Sequence, residues 1–229
     1  MLSESERERV EHVLREFDVP SYETDVFKDI GLETFRVLQG VLPPDRARMS
    51  PVFARYLVAH KTVFAGKNVL EIGTGSGILA VVMARHGAKS VVATDISDAS
   101  VQNAQANAEL LHLKHLVAVR KGDLFQPVQN DERFDLIVFH HPFFCDKPSN
   151  NCNLEMAIMD DGGLLRRFLT SAQTYLEPEG KVLLPFNEAC GAGNDPQAHA
   201  ENYRFQYIKR AASLDPANSS MFVYELIPR

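Results

Sequence analysis

LEIGTGSG, Leu70 to Gly77, carries an apolar run into a glycine-rich turn, and a helical stretch follows it directly. Glycines at 73, 75 and 77 let the chain turn sharply from strand to helix and let a ligand touch the backbone where a Cβ would intrude. The dinucleotide fingerprint needs GxGxxG, whereas the spacing here is GxGxG with Glu71 two residues ahead. A helix amino terminus draws phosphate, but an acid beside the loop repels a pyrophosphate and suits a cationic ligand.

Working outward, apolar runs suited to strands lie at about 68–72, 90–94, 116–120, 135–139, 180–186, 204–210 and 219–226. Helical segments near 76–86, 97–111 and 162–176 separate the earlier ones. Regular alternation of strand and helix predicts a parallel sheet with helices on both faces. The last two strands are joined by LDPANSS, a turn-rich link that predicts an antiparallel hairpin at one sheet edge.

Ligands bind at the carboxyl ends of such strands. SVVATDIS ends in Asp95, placed to accept hydrogen bonds from both hydroxyls of a ribose, and Ser97 is free to cap the next helix. KGDLF puts Asp123 at the same edge, where it can accept from an adenine amino group. FDLIVFHHPFF, Phe134 to Phe144, stops a buried strand abruptly in two histidines, a proline and two phenylalanines.

In this order and spacing, LEIGTGSG, ATDIS, KGDLF and FDLIVFHHPFF resemble the motifs of the class I S-adenosylmethionine-dependent methyltransferases, over roughly Val52 to Pro185. Within that superfamily the chain is similar to the small N-methyltransferases of glutamine, adenine or guanine, whose fourth motif is Asn-Pro-Pro-Tyr. The resemblance implies an α/β, Rossmann-like sheet of order 3-2-1-4-5-7-6 with strand 7 antiparallel, and S-adenosylmethionine as cofactor. It also implies that Glu71, Gly73, Thr74, Gly75 and Gly77 hold the methionine part, Asp95 with Ile96 the ribose, and Asp123 with Leu124 the adenine.

The fourth motif departs from the family: His140 stands for asparagine, His141 for the first proline and Phe143 for tyrosine. In the family, the asparagine and a proline carbonyl grip a planar NH2 group. Imidazole does not reproduce that grip, although its neutral nitrogen accepts a proton. The expectation is that His140, in the place of the family residue that faces the reacting centre and also against the cofactor, acts as a general base titrating near neutrality, that His141 chiefly positions the loop, and that Phe143 and Phe144 offer π faces to the sulfonium. Asp160 and Asp161 are the reserve bases. The first function read from this is methyl transfer to a nitrogen or oxygen of a small molecule. The alternatives are cyclisation of the cofactor to azetidine-2-carboxylate and methylthioadenosine, as in azetidine carboxylate synthases, and non-catalytic cofactor binding.

Residues 1–50 read as an N-terminal helical extension or lid and 51–229 as the catalytic domain. In the extension, Ser3 can cap an amphipathic helix bearing Val10, Val13, Leu14 and Phe17, and Tyr22 and Phe27 are candidates to cover the site. Ser50 followed by Pro51 reads as a second helix start. The polar connection CDKPSNNCNLEMAIMDDGG is the other candidate cover.

The 229 residues suit one large α/β domain, and 45% hydrophobic with 24% charged residues excludes a disordered chain. Cys145, Cys152 and Cys190 lack CxxC spacing, so neither a disulfide framework nor a metal site is indicated. The net charge of -6, without a long Lys/Arg cluster, argues against nucleic acid, and no appended recognition domain is seen, so a small-molecule substrate is expected. The charged start and the lack of a long apolar stretch give a cytoplasmic reading without membrane contact.

Overall fold

The computed structural model describes residues 4–148, 152–213, 217 and 219–229. Five parallel strands form the body of one sheet: β3 (Asn68–Ile72), β4 (Ser90–Asp95), β5 (Val117–Lys121), β6 (Phe134–Phe139) and β7 (Leu176–Asn187). β9 (Met221–Pro228) runs antiparallel to β7 and to the edge strand β8 (Phe205–Ala211), giving the order β5-β4-β3-β6-β7-β9-β8. Counted from β3, this is 3-2-1-4-5-7-6, the expected order with its expected antiparallel strand. Most of the LDPANSS link lies outside the described residues.

The inner parallel strands are apolar because both faces are covered, whereas the edge strand β5 is partly exposed. Val69, Leu70, Leu136, Ile137, Val138 and Val182 are wholly buried. α2 (Met49–Ala59), α3 (Ile78–Arg85) and α4 (Asp98–Leu110) follow in chain order. One core joins Phe53 and Leu57 of α2 to Val81 and Val82 of α3 and to Val69 and Leu136 of the sheet. A second, with Leu70 and Ile137, holds Leu165, Phe168 and Leu169 of α6 (Gly163–Ala172). At roughly 1.5–3 kcal/mol for each fully buried large apolar side chain, these layers dominate the gain that opposes chain entropy.

The N-terminal extension differs from expectation. Its helix α1 (Glu4–Phe17) is present, while Ser3, its expected cap, lies outside the described residues. Two short antiparallel strands, β1 (Tyr22–Thr24) and β2 (Phe35–Val37), follow it. Phe27, Leu32 and Phe35 are wholly buried in the first core, so this part of the extension is built into the domain. Two wholly buried asparagines of α4 fasten it. Asn103 Oδ1 accepts from Leu38 N and Asn107 Oδ1 from Arg36 N, both at 2.8 Å, while their amides donate to Arg36 O at 2.8 and 2.7 Å. Asn107 Nδ2 also donates to Ser76 O at 2.9 Å, tying the N-terminal strand to the glycine turn.

α2 begins at Met49 after Arg48, so Ser50 lies inside its first turn and does not cap it. α5 (Asn153–Ile158) forms within the polar connection, and Leu154 and Ile158 pack with Val10 and Phe17 of α1. Among the described residues no helix is long and apolar enough to cross a membrane, and none group to hold a metal ion.

Candidate cofactor and acceptor site

A cavity of about 320 Å³ opens at the carboxyl ends of β3, β4, β5 and β6. Glu71, Gly73, Thr74, Gly75, Asp95, Ile96, Asp123, Leu124 and His140 all line it, so nine of the sequence candidates meet in one space.

Glu71 is 2% exposed, and its Oε2 accepts from Thr74 Oγ1 at 2.7 Å. Burial pushes its carboxyl up to about 8, the Thr74 hydroxyl acting against that shift. An acid so placed has lost the water that would stabilise its charge, and a cationic group in the cavity would restore the lost stabilisation. Gly75 has φ +53°, and a Cβ built there meets no atom within 4 Å, so it would project into open space at the cavity wall. Gly77 differs. It does not line the cavity, and its Cβ would fall 2.8 Å from Ala104 Cα, so its role in this structure is close packing of the turn on α4.

Both carboxylate oxygens of Asp95 are fixed by the backbone, Oδ2 by Gly75 N and Oδ1 by Ser97 N, each at 2.9 Å. Burial raises its pKa against these bonds. Ser97 caps α4, accepting from Ser100 N at 3.4 Å, so Asp95 is not needed as the cap. Asp123 is paired with Arg167 of α6, which also lines the cavity. Leu124 sits at φ 48° and its carbonyl accepts from Thr94 Oγ1 at 3.2 Å. A leucine held in the left-handed region stores strain that the surrounding structure must over-determine, a feature concentrated at ligand sites.

His140 forms the inner wall, with its ring centroid 6.2 Å from that of Phe53 and 5.2 Å from that of Phe143. Burial, with the neighbouring His141 adding to it, lowers its pKa to about 3. The expected ionisation near neutrality is therefore absent, and the ring is neutral throughout the physiological range. So weak a base holds a transferred proton poorly.

His141, expected chiefly to position the loop, does not line the cavity. It is 2% exposed, stacks with Phe186 at 5.9 Å, and its Nε2–H donates to Asn194 O at 2.9 Å. Burial lowers its pKa to about 4. Phe143 packs edge-on to Phe186 at 5.3 Å and belongs to the core, again outside the cavity lining. Of the residues expected to cover the site, Tyr22, Phe27 and Phe144 lie outside its lining. Phe27 meets Phe35 edge-on at 5.8 Å, Tyr22 donates to Asp45, and Phe144 bridges to Met159. Desolvation and Asp45 raise the Tyr22 pKa. The two segments expected to cover the site do line it, through Gly40, Leu42 and Pro44 of the extension and Asn153, Met156 and Ala157 of the polar connection.

Of the reserve acids, Asp160 lines the cavity and Asp161 does not. Asp160 Oδ2 accepts from Leu164 N at 3.0 Å, and burial raises its pKa. The sequence reading missed Ser50 and Arg167 in the lining, and also Asn194 behind it; no local pattern marks any of them.

A family model described as ribosomal protein L11 methyltransferase (PrmA) matches residues 57–140. A Methanocaldococcus jannaschii protein, named by inference as a protein N5-glutamine methyltransferase, is 32% identical over 121 residues, 51% of this chain and 59% of that protein. The ribosomal protein uL3 glutamine methyltransferase of Bradyrhizobium diazoefficiens is 34% identical over 137 residues, 56% of this chain and 42% of its own. The chain thus spans about half the length of these curated relatives. Among solved structures, the ribosomal protein L11 methylase of Lactobacillus delbrueckii subsp. bulgaricus has a TM-score of 0.56 at 28% identity, covering 77% of each chain. The T. thermophilus 16S rRNA N2 G1207 methyltransferase, solved with AdoMet and guanosine, has a TM-score of 0.62 at 23% identity, covering 86% of this chain and 47% of its own. These relatives are named for macromolecular substrates, ribosomal proteins and ribosomal RNA. That overturns the expectation of a small-molecule substrate with no nucleic acid, which rested on the absence of a basic cluster. The cyclisation alternative finds no support among them. The sheet order and these likenesses together give the chain the Rossmann-like fold of the class I S-adenosylmethionine-dependent methyltransferase superfamily.

Proposed function

We propose that the protein is an S-adenosylmethionine-dependent methyltransferase acting on a nitrogen of a protein side chain. The observation that carries this reading is the shared cavity: a buried acid on a glycine turn, a backbone-fixed aspartate, a strained leucine and a neutral histidine at one sheet edge. These residues fit the group. Glu71 is a buried carboxyl in need of a cation, and the missing Cβ of Gly75 leaves room at the wall.

In this reading Glu71 faces the ammonium of the methionine part, Asp95 accepts from the ribose hydroxyls, and Asp123, Leu124 and Arg167 border the adenine. When bound, the cofactor supplies an electrophilic methyl group on a sulfonium. The chain contributes position: His140 and Pro142 set the wall against which the acceptor nitrogen rests, and the cover from α5 and the 40–44 turn excludes water. Fixing the two reactants accounts for up to roughly 7–11 kcal/mol of barrier lowering in well-oriented systems. His140 Nδ1 or Nε2, neutral and without a hydrogen bond to a described residue, is available to orient an N–H.

A protein acceptor is favoured because the two relatives aligned over half of this chain are named for glutamine methylation. The purified enzyme, incubated with methyl-labelled S-adenosylmethionine and separated protein and RNA fractions from cells, tests the reading. Label bound to protein nitrogen with release of S-adenosylhomocysteine is expected. Label confined to RNA, or methylthioadenosine formed without any acceptor, would contradict it.

A further inference from the structure

Asn194 lies in the loop that follows β7, more than fifty residues beyond His140 in sequence, and is wholly buried. Its Nδ2 donates to three backbone carbonyls, Pro142 O at 3.3 Å, Phe144 O at 3.2 Å and Asp160 O at 3.0 Å. Its main-chain carbonyl accepts from His141 Nε2 at 2.9 Å. Four contacts therefore join this one residue to both segments that wall the acceptor end of the cavity, through Pro142 on one side and Asp160 on the other. The two segments also bond to each other. Phe144 N donates to Ile158 O and Asp160 N to Phe144 O, each at 3.0 Å.

The amide orientation is determined. Turned over, its oxygen would face three carbonyl oxygens, so the NH2 group must point at them and its two hydrogens are shared among three acceptors. This arrangement leaves Asn194 Oδ1 buried without a partner. Buried unpartnered polar atoms are rare and destabilising, and their retention argues for a use other than stability. The approach is also close. A Cβ on Gly193 would fall 2.3 Å from Cys145 Cβ, so a glycine is required where the loop meets the tail of the fourth motif.

We propose that Asn194 is a positioning residue for methyl transfer: its amide latches the loop after His140 to the Asp160 segment and so fixes the acceptor wall, while the cofactor half of the cavity does not depend on it. This rests on the methyltransferase reading above. No residue of the cofactor half, from Glu71 to Gly75, Asp95 or Asp123, bonds to Asn194.

The test compares wild type with Asn194→Ala and with Asn194→Ser, which keeps one donor. Amide hydrogen exchange at Phe144 and Asp160 should quicken at least tenfold in Asn194→Ala and partly recover in Asn194→Ser. Exchange at Ile72 and Val81, and affinity for S-adenosylhomocysteine, should stay within about twofold. Methyl transfer to the protein fraction at saturating cofactor should fall more than tenfold. Unchanged exchange at Phe144 and Asp160 would overturn the proposal, as would cofactor affinity falling in step with transfer, or exchange quickening equally throughout the chain. If wild type binds S-adenosylhomocysteine but labels no protein, the methyltransferase reading fails, and the exchange and affinity results still decide the latch.

Discussion

Glu71 shows how far one side chain can be read from sequence. Its place before the glycine turn indicates a cationic ligand, but its titration depends on burial that no local stretch reveals. Its carboxyl sits at about 8, against an ordinary value of 4.5. Below 4.5 it is protonated folded or unfolded and costs nothing; between 4.5 and about 8 the unfolded chain ionises while the folded one stays protonated, so stability falls across that window and levels off above it. A cationic ligand favours the ionised form, so binding releases a proton and tightens as pH rises from 6 towards 8. Calorimetry of S-adenosylhomocysteine in buffers of different ionisation enthalpy should show this release, and Glu71→Gln should abolish it. Equal proton exchange in both would place the titrating group elsewhere. His140 was misjudged for the same reason: the sequence shows an imidazole at a strand end, not the enclosure by Phe53 and His141 that holds it near 3. Its ionisation should therefore contribute no inflection to turnover between about pH 5 and 9.

At the scale of elements, β3 to β9 with α3, α4 and α6 were legible because their signals are local: apolar runs, glycine turns and helical spacing within a dozen residues. β1, β2 and α5 were not. The first two are three residues long, and β2 is held in place largely by Asn103 and Asn107 of α4, about seventy residues away. The same distance explains why Phe27 was read as a cover: nothing near it in sequence shows that Phe35 and the first core enclose it. Asn107→Ala should cost about 2–4 kcal/mol, because it strands the Arg36 N–H and weakens the hold on two buried carbonyls. Urea unfolding with an unchanged slope and a lowered midpoint would register it. A loss under about 1 kcal/mol would mean that the extension is not fastened through α4.

For the whole molecule, the sheet order was expected through the family resemblance that the motifs carry, and the order brings four loops to one edge. The site thus appears wherever its residues terminate strands, as Asp95 and His140 do. Residues behind the wall, such as Asn194, and residues that turn inward after a strand, such as His141 and Phe143, depend on packing across the sheet and stayed hidden. Gly75 and Gly77 both sit at positive φ, where a side chain is strained, but they differ in what that side chain would meet. At Gly75 an added side chain enters the cavity, whereas at Gly77 it strikes α4. The most direct test of the account is therefore the titration of S-adenosylmethionine into wild type and into Gly75→Val, with folding of both checked by thermal melting. The account predicts one-to-one binding to wild type and loss of at least a hundredfold in affinity for a folded Gly75→Val. Equal affinity in the two, or no binding to folded wild type, would contradict it.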